Sequence, residues 1–158
     1  NPSFKPTHIH RIDKKCSGIV VYAKTLMAAQ QLKEKINKQI KIYVFKSKLN
    51  KDIDLKIKLS HNEKKQKIVT SKFGKLCHTK FYLKNNTKYA QIFTGFKHQI
   101  RASLASLGCP IIGDSKYGGE KAYRLFLHSY QFTFQELDND LQYLNNKTFI
   151  APISWKQG

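Results

Sequence analysis

The chain has 158 residues, 41% of them hydrophobic, so it is long enough to bury a core as one domain. It carries 29 Lys and Arg against 10 Asp and Glu, and its net charge of +19 favours a polyanionic partner, nucleic acid ahead of an acidic membrane surface. No apolar run approaches the ~18 residues of a membrane span, and the three cysteines lack disulfide or zinc spacing. Without a secretion leader, we expect a cytoplasmic protein with reduced thiols.

The first quarter of the chain predicts a strand, a helix and a second strand. Residues 18–23 form a β-branched run typical of a buried strand. Thr25 is a candidate N-cap for a helix that continues to about Asn37. Residues 40–46 resume an extended pattern. The helix presents four apolar residues on one face: Leu26, Ala29, Leu32 and Ile36.

The middle of the chain predicts more strands and a second helix. Residues 50–71 indicate one or two strands joined by a basic loop at residues 61–67. A hairpin is predicted across the turn at residues 84–87, between strands at 77–83 and 88–93. A helix then spans about residues 97–107, with Gly108 as its stop. Its inward residues are Ile100, Leu104 and Leu107.

Three further strands complete the prediction, a brief one at residues 110–114 and others at 126–134 and 148–151. Strands dominate, and helices intervene without a regular βαβ repeat. This order favours an α+β fold with a mixed, mainly antiparallel sheet and flanking helices.

Asp13 is the first candidate for chemistry, because it stands between cations in a chain with few acids. It follows Arg11 and precedes Lys14 and Lys15. Neighbouring positive charge favours the ionised carboxylate. A surface ion pair of Asp13 with Arg11 or Lys14 is the alternative interpretation.

The segment from Thr94 to Arg101 is the second candidate. Thr94-Gly95 permits a tight entry into a helix, whose positive N-terminal end suits an anion. Lys97 and His98 add donors there, and Arg101 follows His98 by three residues, so both lie on one helix face. The alternative is an ordinary basic helix on a basic protein.

Four ordered blocks together carry a family resemblance. They are His10-Arg11-Ile12-Asp13-x-x-Cys16-Ser17-Gly18, Thr94-Gly95-x-x-His98-Gln99-Ile100-Arg101, Gly108-x-Pro110-Ile111-x-Gly113-Asp114-x-x-Tyr117-Gly118 and Leu127-His128-Ser129. This order resembles the RluA family of RNA pseudouridine synthases. Two weaker matches, Lys41-x-Tyr43 and Gly74-Lys75-x-x-x-Thr79, lie between the blocks. The resemblance covers roughly residues 8–153.

The resemblance implies a role for each matching position. Asp13 is the catalytic aspartate, Tyr43 stacks on the target uracil, and Arg101 pairs with Asp13 and keeps it charged. Arg11 and His98 lie near the RNA backbone or the extruded nucleotide, and Lys14 and Lys97 are candidate RNA contacts. The chemistry requires no metal and no cofactor, and the sequence has no phosphate-binding glycine loop or paired Cys/His ligands.

The resemblance implies a single catalytic domain over residues 1–158 that isomerises uridine to pseudouridine in structured RNA. We expect a monomer that is truncated at its N-terminus and has no S4 domain. Large-subunit ribosomal RNA is the favoured substrate and transfer RNA the alternative. A non-catalytic RNA-binding protein of the same fold stays open, because Phe96 replaces the family's Arg and the usual earlier strand is missing. A basic membrane-surface protein is the weaker alternative.

Overall fold

The computed structural model describes residues 4–156, which form an α+β fold around one large sheet. Two α-helices are present in this part of the chain: α1 (Leu26–Glu34) and α2 (Gln99–Ser106). Its strands are β1 (Thr7–His8), β2 (Ser17–Gly18), β3 (Tyr22–Ala23), β4 (Ile40–Phe45), β5 (Ile53–Asn62), β6 (Lys67–Thr70), β7 (Lys75–Lys84), β8 (Thr87–Ile92), β9 (Leu127–Thr133) and β10 (Thr148–Ile150). Short 3₁₀ helices cover Ile36–Lys38, Ser115–Tyr117 and Asn139–Leu144. The fold class predicted from the sequence is confirmed.

The large sheet has the strand order β10-β9-β4-β8-β7-β5-β6, and every neighbouring pair in this series is antiparallel. The short strand β2 lies parallel to β9, while β1 and β3 form a separate two-stranded pair. The β2–β9 pairing joins the N-terminal segment to the centre of the fold. The loop that carries Asp13 is thereby held against the main sheet.

The core has a main cluster and two smaller ones. The main cluster lies around β4 and β9 and includes Tyr43, Phe45 and Leu104 of α2. A second cluster packs α1 against the end of β9, and a third packs α2 against β5 and β6. Helix α2, which carries His98 at its N-cap and Arg101 in its first turn, is therefore fixed to the sheet on its inner side.

Local sequence signals account for several elements. The Thr25 hydroxyl accepts a hydrogen bond from the backbone N–H of Ala28 and caps α1 as predicted. Asn85 and Asn86 form the β7–β8 turn with φ angles of +51° and +63°, the conformation that a two-residue hairpin requires. The predicted strands at residues 40–46, 50–71, 126–134 and 148–151 are also confirmed.

The N-terminal third departs from the prediction in two places. The strand predicted at residues 18–23 is broken into β2 and β3, because Gly18 has a φ of +109° and lies against the backbone of Ser129. Helix α1 ends at Glu34, before Asn37. Leu26 at its start is 58% exposed, so the prediction that it faces the core is wrong.

The region after β8 differs from the sequence prediction in two further places. Helix α2 begins at Gln99, two residues later than predicted, because His98 adopts the left-handed conformation with a φ of +53°. Residues 110–114 form a turn leading into the 3₁₀ helix Ser115–Tyr117, so the strand predicted there is wrong. The apolar run at 110–112 reflects the burial of Ile111 in the main core cluster.

Candidate active site

Asp13 lies in the loop between β1 and β2, and local contacts hold this loop in place. The Asp13 carbonyl accepts a hydrogen bond from the Cys16 N–H at 2.8 Å. Ser17, the first residue of β2, makes a hydrogen bond of 2.7 Å from its hydroxyl to Nδ1 of His128 on β9. His128 Nε2 lies 2.8 Å from the Ala151 carbonyl, so both of its ring nitrogens serve the structure. The Asp13 side chain is presented from a fixed backbone.

Two residues of the α2 segment face the Asp13 carboxylate, one on each oxygen. His98 Nε2 lies 3.3 Å from Oδ1, and Arg101 Nη1 lies 3.7 Å from Oδ2. These side chains have exposures of only 12% and 8%, and that of Asp13 has 17%. The three residues that the two strongest sequence blocks supply are thus brought together at a nearly closed site.

Arg101 makes its strongest contact with Asp114 rather than with Asp13. Its Nε and Nη2 donate hydrogen bonds of 2.9 Å and 2.8 Å to the two oxygens of Asp114, which is 1% exposed. Charge-assisted bidentate pairs of this kind are the stronger hydrogen bonds in proteins. Asp13 therefore shares a guanidinium that another carboxylate already orients.

The electrostatics of Asp13 correct the expectation that its cationic neighbours keep its pKa low. Burial raises the pKa of Asp13 above the ordinary 3.8, and this effect outweighs the opposing pull of Arg101 and Lys97. The negative charge of Asp114 raises it further. The cations near Asp13 are visible in the sequence, but its burial is not.

Tyr43 lies on β4 in the main core cluster, close enough to Asp13 for the carboxylate charge to act on its hydroxyl. Burial is the main cause of a raised pKa at Tyr43, with Cys16 and Asp13 adding to it. The phenol is therefore protonated at neutral pH. Burial and the charge of Asp13 also raise the pKa of Cys16 to about 12, so its thiol is not a nucleophile.

A cleft of about 230 Å³ opens beside His98 and Arg101 and is rich in cations. Lys14, which the sequence suggests as an RNA contact, lines it together with two further lysines, Lys15 and Lys116. Lys97 is exposed, and its charge acts on Asp13. Arg11 is exposed too, but it is not among the residues that line the cleft.

Phe96, which stands at the position of the family's arginine, is half-buried and packs against the cluster between α2 and the β5–β6 strands. Its ring stabilises the approach to α2 instead of reaching toward the cleft lining. The cations of the cleft come from the Asp13 loop, from α2 and from the 3₁₀ segment.

Two residues that sequence reasoning missed hold the partners of Asp13 in place. Asp114 binds Arg101, and the Tyr117 hydroxyl lies 2.8 Å from His98 Nδ1. Both belong to the block Gly113-Asp114-x-x-Tyr117-Gly118, which carried the resemblance without receiving a role. The sequence signal for these two roles was an acidic residue and an aromatic residue, Asp114 and Tyr117, each placed next to a glycine.

Over residues 4–156 the structure has no cluster of three or more His, Cys, Asp or Glu side chains able to hold a metal ion. Within the same range, no helix has the length and apolar character needed to cross a membrane.

Comparisons with known proteins agree with this geometry. Residues 1–106, which include Asp13, Tyr43 and Arg101, match the family model described as RNA pseudouridylate synthase. The chain is 35% identical to an uncharacterized RNA pseudouridine synthase of Mycoplasma capricolum, over 97% of this chain and 56% of that protein. It is 33% identical to the ribosomal large subunit pseudouridine synthase D of Zymomonas mobilis, over 97% of this chain and 51% of that protein.

The structural comparison extends the likeness to the fold. The human RNA pseudouridylate synthase domain containing 1 superposes with a TM-score of 0.77 at 16% identity, over 94% of this chain and 69% of that chain. The chain spans about half the length of the curated relatives named above. With two thirds of its residues matched by the family model and its motifs in the family order, the chain belongs to the RluA family of RNA pseudouridine synthases.

Proposed function

We propose that this chain is the catalytic domain of an RNA pseudouridine synthase, with Asp13 as the catalytic residue. One observation carries the proposal: one oxygen of Asp13 faces His98 and the other faces Arg101, and both of these residues line a cationic cleft. A protein that only binds RNA has no need of a largely buried carboxylate beside the cations that hold phosphates. Family membership supports the same activity.

The reaction leaves the atoms of the nucleotide unchanged in number. The bond from uracil N1 to the sugar C1′ breaks, the base rotates, and a bond from C5 to C1′ forms. C5 loses its hydrogen and N1 gains one. Asp13 serves the first step either as a nucleophile at C1′ or as a base on the sugar, and both roles need the ionised carboxylate. A raised pKa makes that carboxylate the stronger base and nucleophile once it is ionised.

The other site residues follow from their positions. Arg101 keeps Asp13 ionised and aimed, while Asp114 holds Arg101. Tyr43 is a buried residue of β4 whose neutral hydroxyl is under the influence of the Asp13 charge, and its ring is the proposed aromatic surface for the extruded uracil. His98, Lys14 and Lys97 line or approach the cleft and bind the nucleotide and its phosphates, and Arg11 contacts RNA farther out.

We propose structured RNA as the substrate, with large-subunit ribosomal RNA favoured and transfer RNA as the alternative. The name of the Zymomonas mobilis relative supports the ribosomal assignment. No residue of the cleft distinguishes the two RNA classes, because phosphate contacts carry affinity but not sequence. We also propose that the domain acts in the cytoplasm, as a monomer and without a cofactor.

The test is release of tritium from RNA that is labelled at uracil C5, because only formation of the C5–C1′ bond expels that hydrogen. The purified chain is incubated with transcribed large-subunit ribosomal RNA and, separately, with transfer RNA. Asp13→Asn should lose at least about 10⁴-fold in rate while its RNA affinity stays within a few-fold, since catalysis by one essential group is removed. Asp54→Asn, at an acid on the exposed face of β5, is the matched control and should keep its activity.

Three outcomes decide between the candidates. Release by the wild-type chain that Asp13→Asn abolishes supports the proposal, and the more reactive RNA identifies the substrate class. Tight RNA binding without release from either RNA, in a folded protein, favours the non-catalytic binder. Equal release by wild-type and Asp13→Asn proteins would remove Asp13 from the mechanism.

A further inference from the structure

The Tyr117 hydroxyl lies between a backbone donor and a ring nitrogen of the site histidine. It accepts a hydrogen bond of 3.0 Å from the Ile68 N–H on β6, and it lies 2.8 Å from Nδ1 of His98. The two rings also meet edge to face, with their centroids 5.7 Å apart. Tyr117 is 6% exposed, so both polar contacts are shielded from water.

The direction of the second hydrogen bond follows from the first. A backbone N–H can only donate, so the Tyr117 oxygen is the acceptor from Ile68. The single hydroxyl proton is then free to point at Nδ1 of His98, which has to be unprotonated to accept it. In neutral imidazole the remaining proton is on Nε2, the atom that faces Asp13 Oδ1 at 3.3 Å.

The other protonation states of His98 fit the same geometry poorly. A proton on Nδ1, in the other tautomer or in the imidazolium, places a second donor against the Tyr117 oxygen. The hydroxyl proton then has no acceptor among the contacts of the described residues. Arg101, Lys97 and Lys116 surround His98 with positive charge, against Asp13 and Asp114, and burial together with these cations lowers the pKa of His98 to about 4.

We infer that Tyr117 is a positioning residue, which fixes His98 as the tautomer that donates from Nε2 to Asp13. Hydrogen bonds link the Ile68 N–H, the Tyr117 hydroxyl and Nδ1 of His98, and the opposite ring nitrogen of His98 faces the carboxylate at 3.3 Å. Asp13 thus receives a donor that orients it without adding a second positive charge beside Arg101. The catalytic consequence rests on the proposed function, whereas the tautomer itself does not.

The direct test is the long-range ¹⁵N–¹H correlation spectrum of the histidine rings in the folded chain at neutral pH, without RNA. Wild-type His98, assigned by its loss in His98→Gln, should show a protonated Nε2 and an unprotonated Nδ1. Tyr117→Phe, which keeps the ring and removes the hydroxyl, should shift His98 toward a mixture of tautomers. A wild-type His98 that is protonated on Nδ1, or a tautomer that Tyr117→Phe leaves unchanged, overturns the inference.

Kinetics supply a second readout, with a control for lost stability. Ser47 has the same hydrogen-bond arrangement away from the site, since its hydroxyl accepts from the Leu49 N–H and donates to the Cys109 carbonyl. Tyr117→Phe should lower kcat by about 10-fold to 100-fold with little change in KM, by analogy with groups that orient metal-binding histidines. Ser47→Ala should lose both of these hydrogen bonds but keep kcat.

Rescue separates positioning from general damage. In the His98→Gln background, the side-chain amide donates to Asp13 without help from Tyr117, so adding Tyr117→Phe should change kcat less than twofold. A full loss in that background overturns the inference. If no RNA releases tritium, the proposed function fails, while the ring spectrum still decides the tautomer.

Discussion

Asp114→Asn tests the arrangement in which two carboxylates share one guanidinium. Asp114 accepts two charge-assisted hydrogen bonds from Arg101, each worth about 1.5–3 kcal/mol. Asn keeps the shape of the side chain and one acceptor oxygen, but its amide group then meets a donor of Arg101. We expect the free energy of unfolding to fall by about 3 kcal/mol, the lower end of the range for breaking a buried ion pair.

The same substitution acts on Asp13 in a direction that a purely structural role does not produce. The charge of Asp114 helps to raise the pKa of Asp13, so its removal lowers that pKa. The acid limb of the pH–rate profile should therefore move to lower pH, because Asp13 reacts as the carboxylate.

Urea denaturation and tritium release over a range of pH measure the two effects of Asp114→Asn. The matched control is Asp138→Asn, which breaks an exposed ion pair with Lys35 and should cost no more than about 1 kcal/mol. Equal destabilisation by the two variants, or an acid limb that moves to higher pH in Asp114→Asn, would refute the reasoning.

Three further predictions concern stability. Asp13 has a raised pKa in the folded state, so its contribution to stability is present below pH 3.8 and is lost as the pH rises through the folded pKa. At pH 7 the buried charge therefore destabilises the fold. Asp13→Asn should raise the Tm at that pH, and a lower Tm contradicts this. The pKa values of His10 and His98 are lowered from 6.5 to about 4, so stability should fall as the pH drops through that window. In acid-titrated urea melts, His10→Gln should reduce this fall and His61→Gln, at an exposed residue, should not. Gly108→Ala should cost about 1–2 kcal/mol from positive φ alone. Gly113→Ala should cost about 1–3 kcal/mol more, because its Cβ falls 1.7 Å from the Arg124 carbonyl oxygen, and equal losses would contradict the clash.

The sequence predicted those elements whose causes are local. The Thr25 cap, the Asn85-Asn86 turn and the alternating strands each depend on a few adjacent residues, and they are confirmed. The failures come from contacts across the chain. Residues 110–112 have the composition of a strand, but Gly113 turns the backbone at a φ of +90°, and Ile111 enters the core from a loop.

The sequence indicated Asp13, His98 and Arg101 as residues of the site, but not Asp114 and Tyr117, which hold two of them in place. The resemblance implied that Arg101 lies beside Asp13, as it does in the structure, whereas the position of His98 at the other carboxylate oxygen was not predicted. The pairings of Asp114 with Arg101 and of Tyr117 with His98 join a loop to α2 across 13 and 19 residues, a distance at which periodicity gives no information. The direction of the Asp13 pKa also depended on burial, which composition does not report.

The charges of this chain act at two distances, and the long-range and short-range effects differ. The net charge of +19 lies largely on exposed lysines, where solvent and salt screen it, and it draws in a polyanion. The charge environment of the Asp13 carboxylate depends on contacts within a few ångströms. Asp114 occupies two donors of Arg101, and Tyr117 keeps His98 neutral with its donor toward Asp13. Because neither partner gives Asp13 an undivided positive charge, its carboxylate stays more basic than one in a tight salt bridge. In the proposed reaction Asp13 acts on the sugar as a nucleophile or a base, and either role is favoured by this weaker pairing, which Asp114 and Tyr117 provide.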